Sequence, residues 1–365
     1  MTKFLLPLIA VLLLVACNSK PHYTIKGTVE GAETGNILLL TLNGREIDTL
    51  IKAPLLNKKF NIEGDVQNVT HAYLMLEGQR NVTQIILENN QTYTANINVE
   101  DEFSTQISGS ENQKILNEFI AIVQEMKKYE QSIYQEFSTA MQTNDEATTN
   151  RIKADFIKLK DEADKKEKEL IKKYSDSYVA ALIIAQKRGI YSEEEISALY
   201  NVLGEYAKAT EHGKTVEEYL NKVQKVAVGQ IAPDFTLKTP EGQELSLYGI
   251  QGKVKIIDFW ASWCGPCRKA NPDMVDLYKK YHKKGLEIIG VSLDRDKENW
   301  VEAIKADKLT WHHGSDLKYW DSDVAKLYMV NSIPHLIILD ADNRIVAKNL
   351  HGDELNEAII QILKK

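Results

Sequence analysis

Two cysteines stand three positions apart in the segment DFWASWCGPCR, which runs from Asp258 to Arg268. The apolar run KVKIIDFW before them predicts a strand, and the periodic segment CRKANPDMVDLYKKYHKKG predicts a helix. This strand would deliver Cys264 to the first helical turn, where unpaired backbone N–H groups and the helix dipole stabilise a thiolate. We interpret the pair as a redox dithiol, in which Cys264 is the exposed attacking sulfur and Cys267 resolves the mixed disulfide.

A metal site and a structural disulfide are the two other uses of such a pair. Zinc needs four ligands, and the nearby candidates, His312 and His313, are adjacent and would point in different directions. We therefore expect no metal and no cofactor. Small secreted scaffolds held by structural disulfides have many cysteines, whereas this chain has only one more, Cys17. The pair is therefore interpreted as functional.

The N-terminus, MTKFLLPLIAVLLLVACNSK, predicts a secretion signal over residues 1–16. Lys3 is its short basic region, and the apolar run that follows is too short for a stable membrane span. The run ends in Leu-Val-Ala before Cys17, which resembles the bacterial lipobox, whose cysteine is acylated. An ordinary signal with an incidental Cys17 is the alternative. Lipidation would make residues 17–22 a tether and place the protein in the cell envelope, facing the periplasm, on either the inner or the outer membrane.

The rest of the chain divides into three parts by the period of its apolar residues. Short alternating runs separated by Gly, Asn and Asp turns predict an antiparallel β sandwich or open barrel over residues 23–110. A 3–4 spacing predicts a helical region over 111–226, which starts with an αα-hairpin around the polar turn TNDEATTN. Strands and helices alternate over 227–365 and predict an α/β fold. The fold class is therefore multidomain.

The charge of the chain bears on its partners. The 365 residues carry a net charge of −7, and no Lys/Arg stripe stands out. Nucleic-acid binding needs a basic surface, so nucleic acid is excluded as a partner.

The segment DFWASWCGPC resembles the active site of thioredoxin, including both tryptophans and the Gly265-Pro266 pair. The resemblance implies that Trp263 and the dipeptide shape the active site. It also identifies NSIPHLIILD as the segment in which the Ile333–Pro334 bond is cis and faces the dithiol. Asp258 matches the buried carboxylate that is thought to accept a proton when the second cysteine attacks.

The segment APDFTL, which precedes the strand KVKIIDFW, and the inserted segment LDRDKENWVEAIKADKLTWHHGSD resemble the TlpA/ResA branch. This branch comprises membrane-tethered extracytoplasmic thiol–disulfide oxidoreductases. The likeness covers about residues 227–365. The β-rich part resembles the N-terminal domain of secreted thioredoxin-like lipoproteins. Two positions depart from the thioredoxin pattern. His335 follows Pro334 where threonine is common, and the strand position before Ser292 lacks the lysine that partners the buried carboxylate in thioredoxin.

The resemblance implies a protein-disulfide reductase anchored outside the cytoplasm. Its substrates would be protein dithiols or disulfides, and an integral-membrane thiol protein would supply its electrons. A thiol peroxidase is one alternative, although the peroxiredoxin motif has proline where this chain has Ile257. A non-enzymatic surface lipoprotein that binds a partner is the other. The Gly265-Pro266 pair is that of thioredoxin and favours a reducing potential.

Overall fold

The structure is a computed structural model that describes residues 22–43 and 46–364. The predicted signal peptide and the lipidation site Cys17 lie outside the described residues. The chain forms two compact units, with the boundary after Ala180. Among the helices of these described ranges, none combines enough length and apolarity to cross a bilayer.

Eight strands form one sheet in the first unit: β1 Tyr23–Glu30, β2 Thr34–Asn43, β3 Glu46–Leu56, β4 Lys59–Gly64, β5 Thr70–Leu76, β6 Thr83–Leu87, β7 Thr92–Asn98 and β8 Gln106–Ser108. Their order is β6-β5-β2-β3-β4-β1-β7-β8. Neighbours are antiparallel, except that β1 and β7 are parallel. Burial alternates along β1 and β7 because successive side chains point to opposite faces. The predicted β-rich N-terminal domain is confirmed.

The predicted αα-hairpin follows the sheet, with α1 over Glu111–Thr143 and α2 over Glu146–Lys173. The connection is shorter than the predicted turn, since only two residues separate the helices. Asn144 takes the left-handed conformation that ends α1, and Asp145 begins α2 by accepting a hydrogen bond from the Thr148 N–H at 3.0 Å.

Four short helices complete the helical region: α3 Tyr178–Gln186, α4 Glu193–Asn201, α5 Glu205–Ala209 and α6 Glu211–Lys225. The boundary between the units falls within α3. The Ser192 side chain and the Glu195 side chain each bond the other residue's backbone N–H, so a capping box begins α4.

The second unit has a seven-stranded sheet: β9 Thr236–Lys238, β10 Glu244–Ser246, β11 Val254–Trp260, β12 Leu286–Ser292, β13 His312–Ser315, β14 His335–Asp340 and β15 Ile345–Lys348. The order is β10-β9-β13-β12-β11-β14-β15. The helices are α7 Gly265–Tyr281, α8 Lys297–Ala306, α9 Asp323–Leu327 and α10 Gly352–Leu363. Every residue of β11 is buried, and this strand is parallel to β12 and antiparallel to β14. The predicted thioredoxin-like α/β fold is confirmed.

Candidate active site

A disulfide bond joins Cys264 and Cys267 at the start of α7, with their Cα atoms 5.3 Å apart. After β11 the chain makes a tight turn, in which the Cys264 N–H donates to the Ala261 carbonyl at 3.1 Å. Cys264 is the N-cap of α7, and its Sγ accepts a hydrogen bond from the Cys267 N–H at 3.2 Å. The predicted strand and the predicted helix therefore meet at the cysteine pair.

The two residues between the cysteines, Gly265 and Pro266, are exposed. Proline suits the first helical turn because its fixed φ is helical and its missing N–H would lack a partner there. A Cβ added to Gly265 would meet no atom within 4 Å. The surface beside the disulfide is therefore open.

The burial of the two cysteines corrects one prediction. Only 4% of Cys264 and 2% of Cys267 is exposed, and both belong to the apolar core of the second unit. The prediction of an exposed Cys264 is wrong for this disulfide form, because its Sγ is engaged by the Cys267 sulfur and N–H. Trp263 is instead 46% exposed, and it is the large side chain that this turn presents to solvent.

Asp258 lies in the middle of the second sheet. It is 5% exposed, and in the β11 register it stands between Gly290 on β12 and Leu336 on β14. Burial raises the pKa of Asp258 from 3.8 to about 7, because an ionised carboxylate loses its hydration there. A group with this pKa can accept or release a proton near neutral pH.

The Ile333–Pro334 peptide bond is cis, as predicted. It lies directly before β14, and β14 is antiparallel to β11. The start of β14 therefore lies beside the end of β11, at the sheet edge from which the chain continues to Cys264. His335 pairs with Phe259 across the two strands, and their ring centroids are 6.1 Å apart.

His335 differs from an ordinary histidine in its protonation. Burial, followed by the charge of Lys348, lowers the pKa of His335 to about 4. The ring is therefore neutral near pH 7. Its buried Nε2 atom has no hydrogen-bond partner within the described residues.

An aromatic cluster that the sequence analysis missed adjoins the cysteine turn. The ring centroid of Trp263 is 5.0 Å from that of Tyr319 and 6.2 Å from that of Trp320. The Arg295 guanidinium lies 4.4 Å from the Tyr319 ring centroid. The sequence signal was the YW pair in LKYWDSD, but nothing in its spacing relates it to residue 263.

Two acids, the buried Asp294 and the half-buried Asp307, also approach the turn. Asp294 is 1% exposed and accepts a hydrogen bond from the Ser262 N–H at 3.0 Å. Asp307 accepts from Arg268, which also donates to the Ser262 carbonyl at 3.1 Å. The sequence gives a weak signal for Asp294, because this acid directly follows the apolar run VSL. It gives no signal for Asp307.

The neighbouring histidines do not join the site. His312 is exposed and His313 is buried, so the expectation that they point in different directions is confirmed. The His313 ring packs on Trp260 with the centroids 5.8 Å apart. Within the ranges that the structure describes, no group of three or more His, Cys, Asp or Glu side chains could hold a metal ion.

Known proteins resemble both ends of the chain. Residues 228–348 match the AhpC/TSA family, and residues 23–116 match a domain of unknown function, DUF4369. The thiol-disulfide oxidoreductase ResA of Bacillus cereus is 31% identical over 147 residues, which are 40% of this chain and 83% of that relative. The ResA protein of Geobacillus thermodenitrificans is 34% identical over 139 residues, which are 38% of this chain and 78% of that relative.

The chain belongs to the ResA family of thiol–disulfide oxidoreductases. Among solved structures, a thiol-disulfide oxidoreductase from Bacteroides fragilis is 34% identical. The match covers 36% of this ResA-family chain and 99% of that one, with a TM-score of 0.35. The thioredoxin domain of a thiol-disulfide oxidoreductase from Bacteroides vulgatus is 36% identical over 38% of this chain and 98% of that one, with a TM-score of 0.36.

Proposed function

We propose that this ResA-family enzyme reduces disulfide bonds in other proteins, with Cys264 as the attacking sulfur. The observation that carries the proposal is the position of Cys264 as the N-cap of α7, where the Cys267 N–H points at its Sγ. A helix N-terminus favours negative charge, so the same N–H would stabilise a thiolate in the reduced enzyme.

The reaction proceeds in two exchanges. The Cys264 thiolate attacks one sulfur of the substrate disulfide, forms a mixed disulfide and releases the first substrate thiolate, which takes a proton from water. The Cys267 thiolate then attacks the Cys264 sulfur, closes the enzyme disulfide and releases the second substrate thiolate. Two electrons pass from the enzyme dithiol to the substrate. Asp258 accepts the proton that Cys267 loses, a role that its pKa of about 7 permits.

The exposed surface around the pair supports a protein as the substrate. Trp263 is exposed beside Cys264, and no atom lies within 4 Å of a Cβ added at Gly265. Pro334 lies at the same edge of the sheet and would border an extended substrate segment. A substrate backbone could therefore approach across Gly265 and Pro266, between the tryptophan and the cis-proline.

We also propose that Cys17 is lipidated and holds the enzyme in the cell envelope, facing the periplasm. The support is Leu-Val-Ala-Cys at the end of a short apolar run. Such a compartment is oxidising, so a reductase would stop after one turnover without a supply of electrons. We therefore infer an integral-membrane thiol protein as the donor. Mass spectrometry of the membrane fraction tests the anchor, and an unmodified Cys17 would contradict it.

Insulin reduction by the purified protein tests the activity. We expect turnover that needs both cysteines and no consumption of hydrogen peroxide. Peroxide consumption without insulin reduction would favour a thiol peroxidase, and neither activity would favour a binding protein. Equilibration with glutathione tests the direction of exchange. The Gly-Pro pair predicts a midpoint nearer about −270 mV, whereas one above about −180 mV would indicate that the enzyme makes or shuffles disulfides.

A further inference from the structure

Ser262 lies at the second position of the turn that leads to the cysteine pair. The turn comprises Ala261, Ser262, Trp263 and Cys264, and it is closed by the hydrogen bond from the Cys264 N–H to the Ala261 carbonyl. The conformation of Ser262 therefore determines the direction in which the next two residues leave the strand. Ser262 has three polar groups, an N–H, a carbonyl and a hydroxyl, and all three are bound by side chains from outside the turn.

Asp294 binds two of these groups. Its Oδ2 accepts from the Ser262 N–H at 3.0 Å, and its Oδ1 accepts from the Ser262 hydroxyl at 2.5 Å. The carboxylate is fixed in turn, because Oδ2 accepts from the Ser292 hydroxyl at 2.7 Å and the Asp294 N–H donates back to that hydroxyl at 3.0 Å. The Ser292 carbonyl accepts from Ser315 at 2.8 Å. The end of β12 and the neighbouring β13 therefore hold one side of Ser262.

Arg268 binds the third group. Its Nη1 donates to the Ser262 carbonyl at 3.1 Å, while its Nη2 donates to Asp307 at 2.7 Å and its Nε donates to the same carboxylate. Burial raises the pKa of Asp307, but the hydrogen bonds from Arg268 and Asn271 outweigh this effect, so the pKa lies below its ordinary value. The carboxylate is therefore ionised near neutral pH and makes a fork-to-fork pair with the guanidinium.

We propose that Asp294 and Arg268, the latter held by Asp307, are positioning residues that fix Ser262 and thereby orient Cys264 and Trp263 for attack on a substrate disulfide. This inference rests on the proposed function, in which Cys264 is the attacking sulfur. Asp294, Arg268 and Asp307 are together called the Ser262 clamp.

The fold explains why this turn needs the clamp. The residue between Ser262 and Cys264 is an exposed tryptophan, and Gly265 and Pro266 beyond them are also exposed. Exposed residues are held by fewer contacts than buried ones, so Ser262 and Trp263 would move more readily than Ala261 and Cys264 on either side of them, which are buried in the core. Attack on a disulfide needs the reacting sulfurs in line, and a displacement of about 1 Å can lower a rate about a hundredfold. A buried carboxylate and a paired guanidinium hold the backbone of Ser262 and leave Gly265 and Pro266 exposed.

The test uses the full-length protein with Cys267→Ser, so that the mixed disulfide accumulates. Asp294→Asn and Arg268→Lys alter the two sides of the clamp, and Glu287→Gln is the matched control. Glu287 is a partly buried carboxylate at the opposite end of β12 that accepts from Tyr278 at 3.2 Å and lies 3.1 Å from His282. The rate at which iodoacetamide alkylates Cys264, measured as a function of pH, shows where the thiol ionises and how fast the fully ionised thiolate reacts. Mixed-disulfide formation with insulin gives the rate of attack.

We expect each clamp variant to form the mixed disulfide about tenfold more slowly than the parent at the pH where Cys264 is fully ionised. We also expect the alkylation profile to move to higher pH, because a loosened turn no longer holds the sulfur at the helix N-terminus. Glu287→Gln should leave both values within about twofold of the parent, even if its melting temperature falls. A role in stability alone would lower the melting temperature and change neither value for the folded protein.

Two outcomes overturn the clamp. In the first, Asp294→Asn and Arg268→Lys both retain the parent rate and the parent profile. In the second, Glu287→Gln slows attack as much as they do. If Asp294→Asn fails to fold, Arg268→Lys decides alone, since it keeps the charge beside Asp307 and loses the fork that reaches Ser262. Insulin reduction by the wild-type enzyme is measured first, and its absence would refute the proposed function instead.

Discussion

Two helices of the molecule, one in each unit, begin with the same local arrangement. Ser110 is the N-cap of α1 and accepts from the Gln113 N–H at 3.1 Å, while Cys264 is the N-cap of α7 and accepts from the Cys267 N–H at 3.2 Å. Each satisfies one of the unpaired N–H groups of a first helical turn. A serine hydroxyl stays neutral, whereas a thiol can ionise and attack. The same arrangement therefore begins a helix in one unit and prepares a nucleophile in the other.

Buried polar side chains in the two units also differ in role, structural in the first unit and chemical in the second. In the first unit, the buried Gln113 amide accepts from the Ile86 N–H at 2.9 Å and so binds the backbone of the edge strand β6 to α1. In the second unit, burial shifts the pKa of Asp258 to about 7 and that of His335 to about 4. Burial also raises the pKa of Tyr93 in the first unit to about 12, so it is the cysteine pair together with these shifts that assigns the chemistry to the second unit.

The largest expected effect is on Cys264. Cys264→Ser should reduce insulin reduction to background, because a serine hydroxyl is not an effective nucleophile near neutral pH. A serine is also a good N-cap, so the variant should melt close to the reduced wild-type protein. Turnover measurements and thermal unfolding under reducing conditions check both statements. Residual turnover by Cys264→Ser, together with none by Cys267→Ser, would reverse the assigned roles.

Asp258→Asn should affect the second exchange more than the first. Its carboxylate is the proposed acceptor for the Cys267 proton, whereas the Cys264 thiolate is formed before the substrate arrives. Rapid-quench measurements separate the appearance of the mixed disulfide from its decay. Slower formation with unchanged decay would contradict the role of Asp258.

The same substitution should change how stability depends on pH. The folded-state pKa of Asp258 lies above its ordinary 3.8, so the neutral carboxyl's contribution is fully present below that value and is lost as pH rises to about 7. Asparagine cannot ionise and avoids this loss. At about pH 8 the oxidised variant should be more stable than wild type by up to about 4 kcal/mol, with little difference near pH 4. Urea unfolding at both pH values measures this, and an equal difference at both would show that Asp258 titrates as it does in water.

The sequence predicts local geometry well and contacts between distant segments poorly. The spacing of Cys264 and Cys267, together with the strand and helix around them, predicts the N-cap position because each step is local. The bonds of Asp294 to Ser262 join residues 32 apart, and those of Arg268 to Asp307 join residues 39 apart. Those contacts depend on which strands lie side by side. The parallel pairing of β1 with β7 was missed for the same reason.

Gln113→Leu provides the next test, in the first unit. It would leave the buried Ile86 N–H without its acceptor, which should cost about 1–3 kcal/mol of unfolding free energy. Insulin reduction by the folded protein should not change. Gln131→Leu, at an exposed position of the same helix, is the control and should have a much smaller effect. A large loss of turnover in Gln113→Leu would show that the contrast between the units is too simple.

The smallest expected effect is that of Ser110→Ala. Alanine cannot accept the hydrogen bond from the Gln113 N–H, and the loss of such a cap typically costs about 1 kcal/mol. Ser110→Thr keeps an acceptor and should lose less. Urea unfolding measures the difference, and turnover should equal that of wild type in both variants. Cys264→Ser retains a cap and removes the nucleophile, whereas Ser110→Ala removes a cap where there is no nucleophile. If Ser110→Ala lowers turnover while Cys264→Ser melts well below the reduced wild type, the two N-caps do not divide into a structural one and a reactive one.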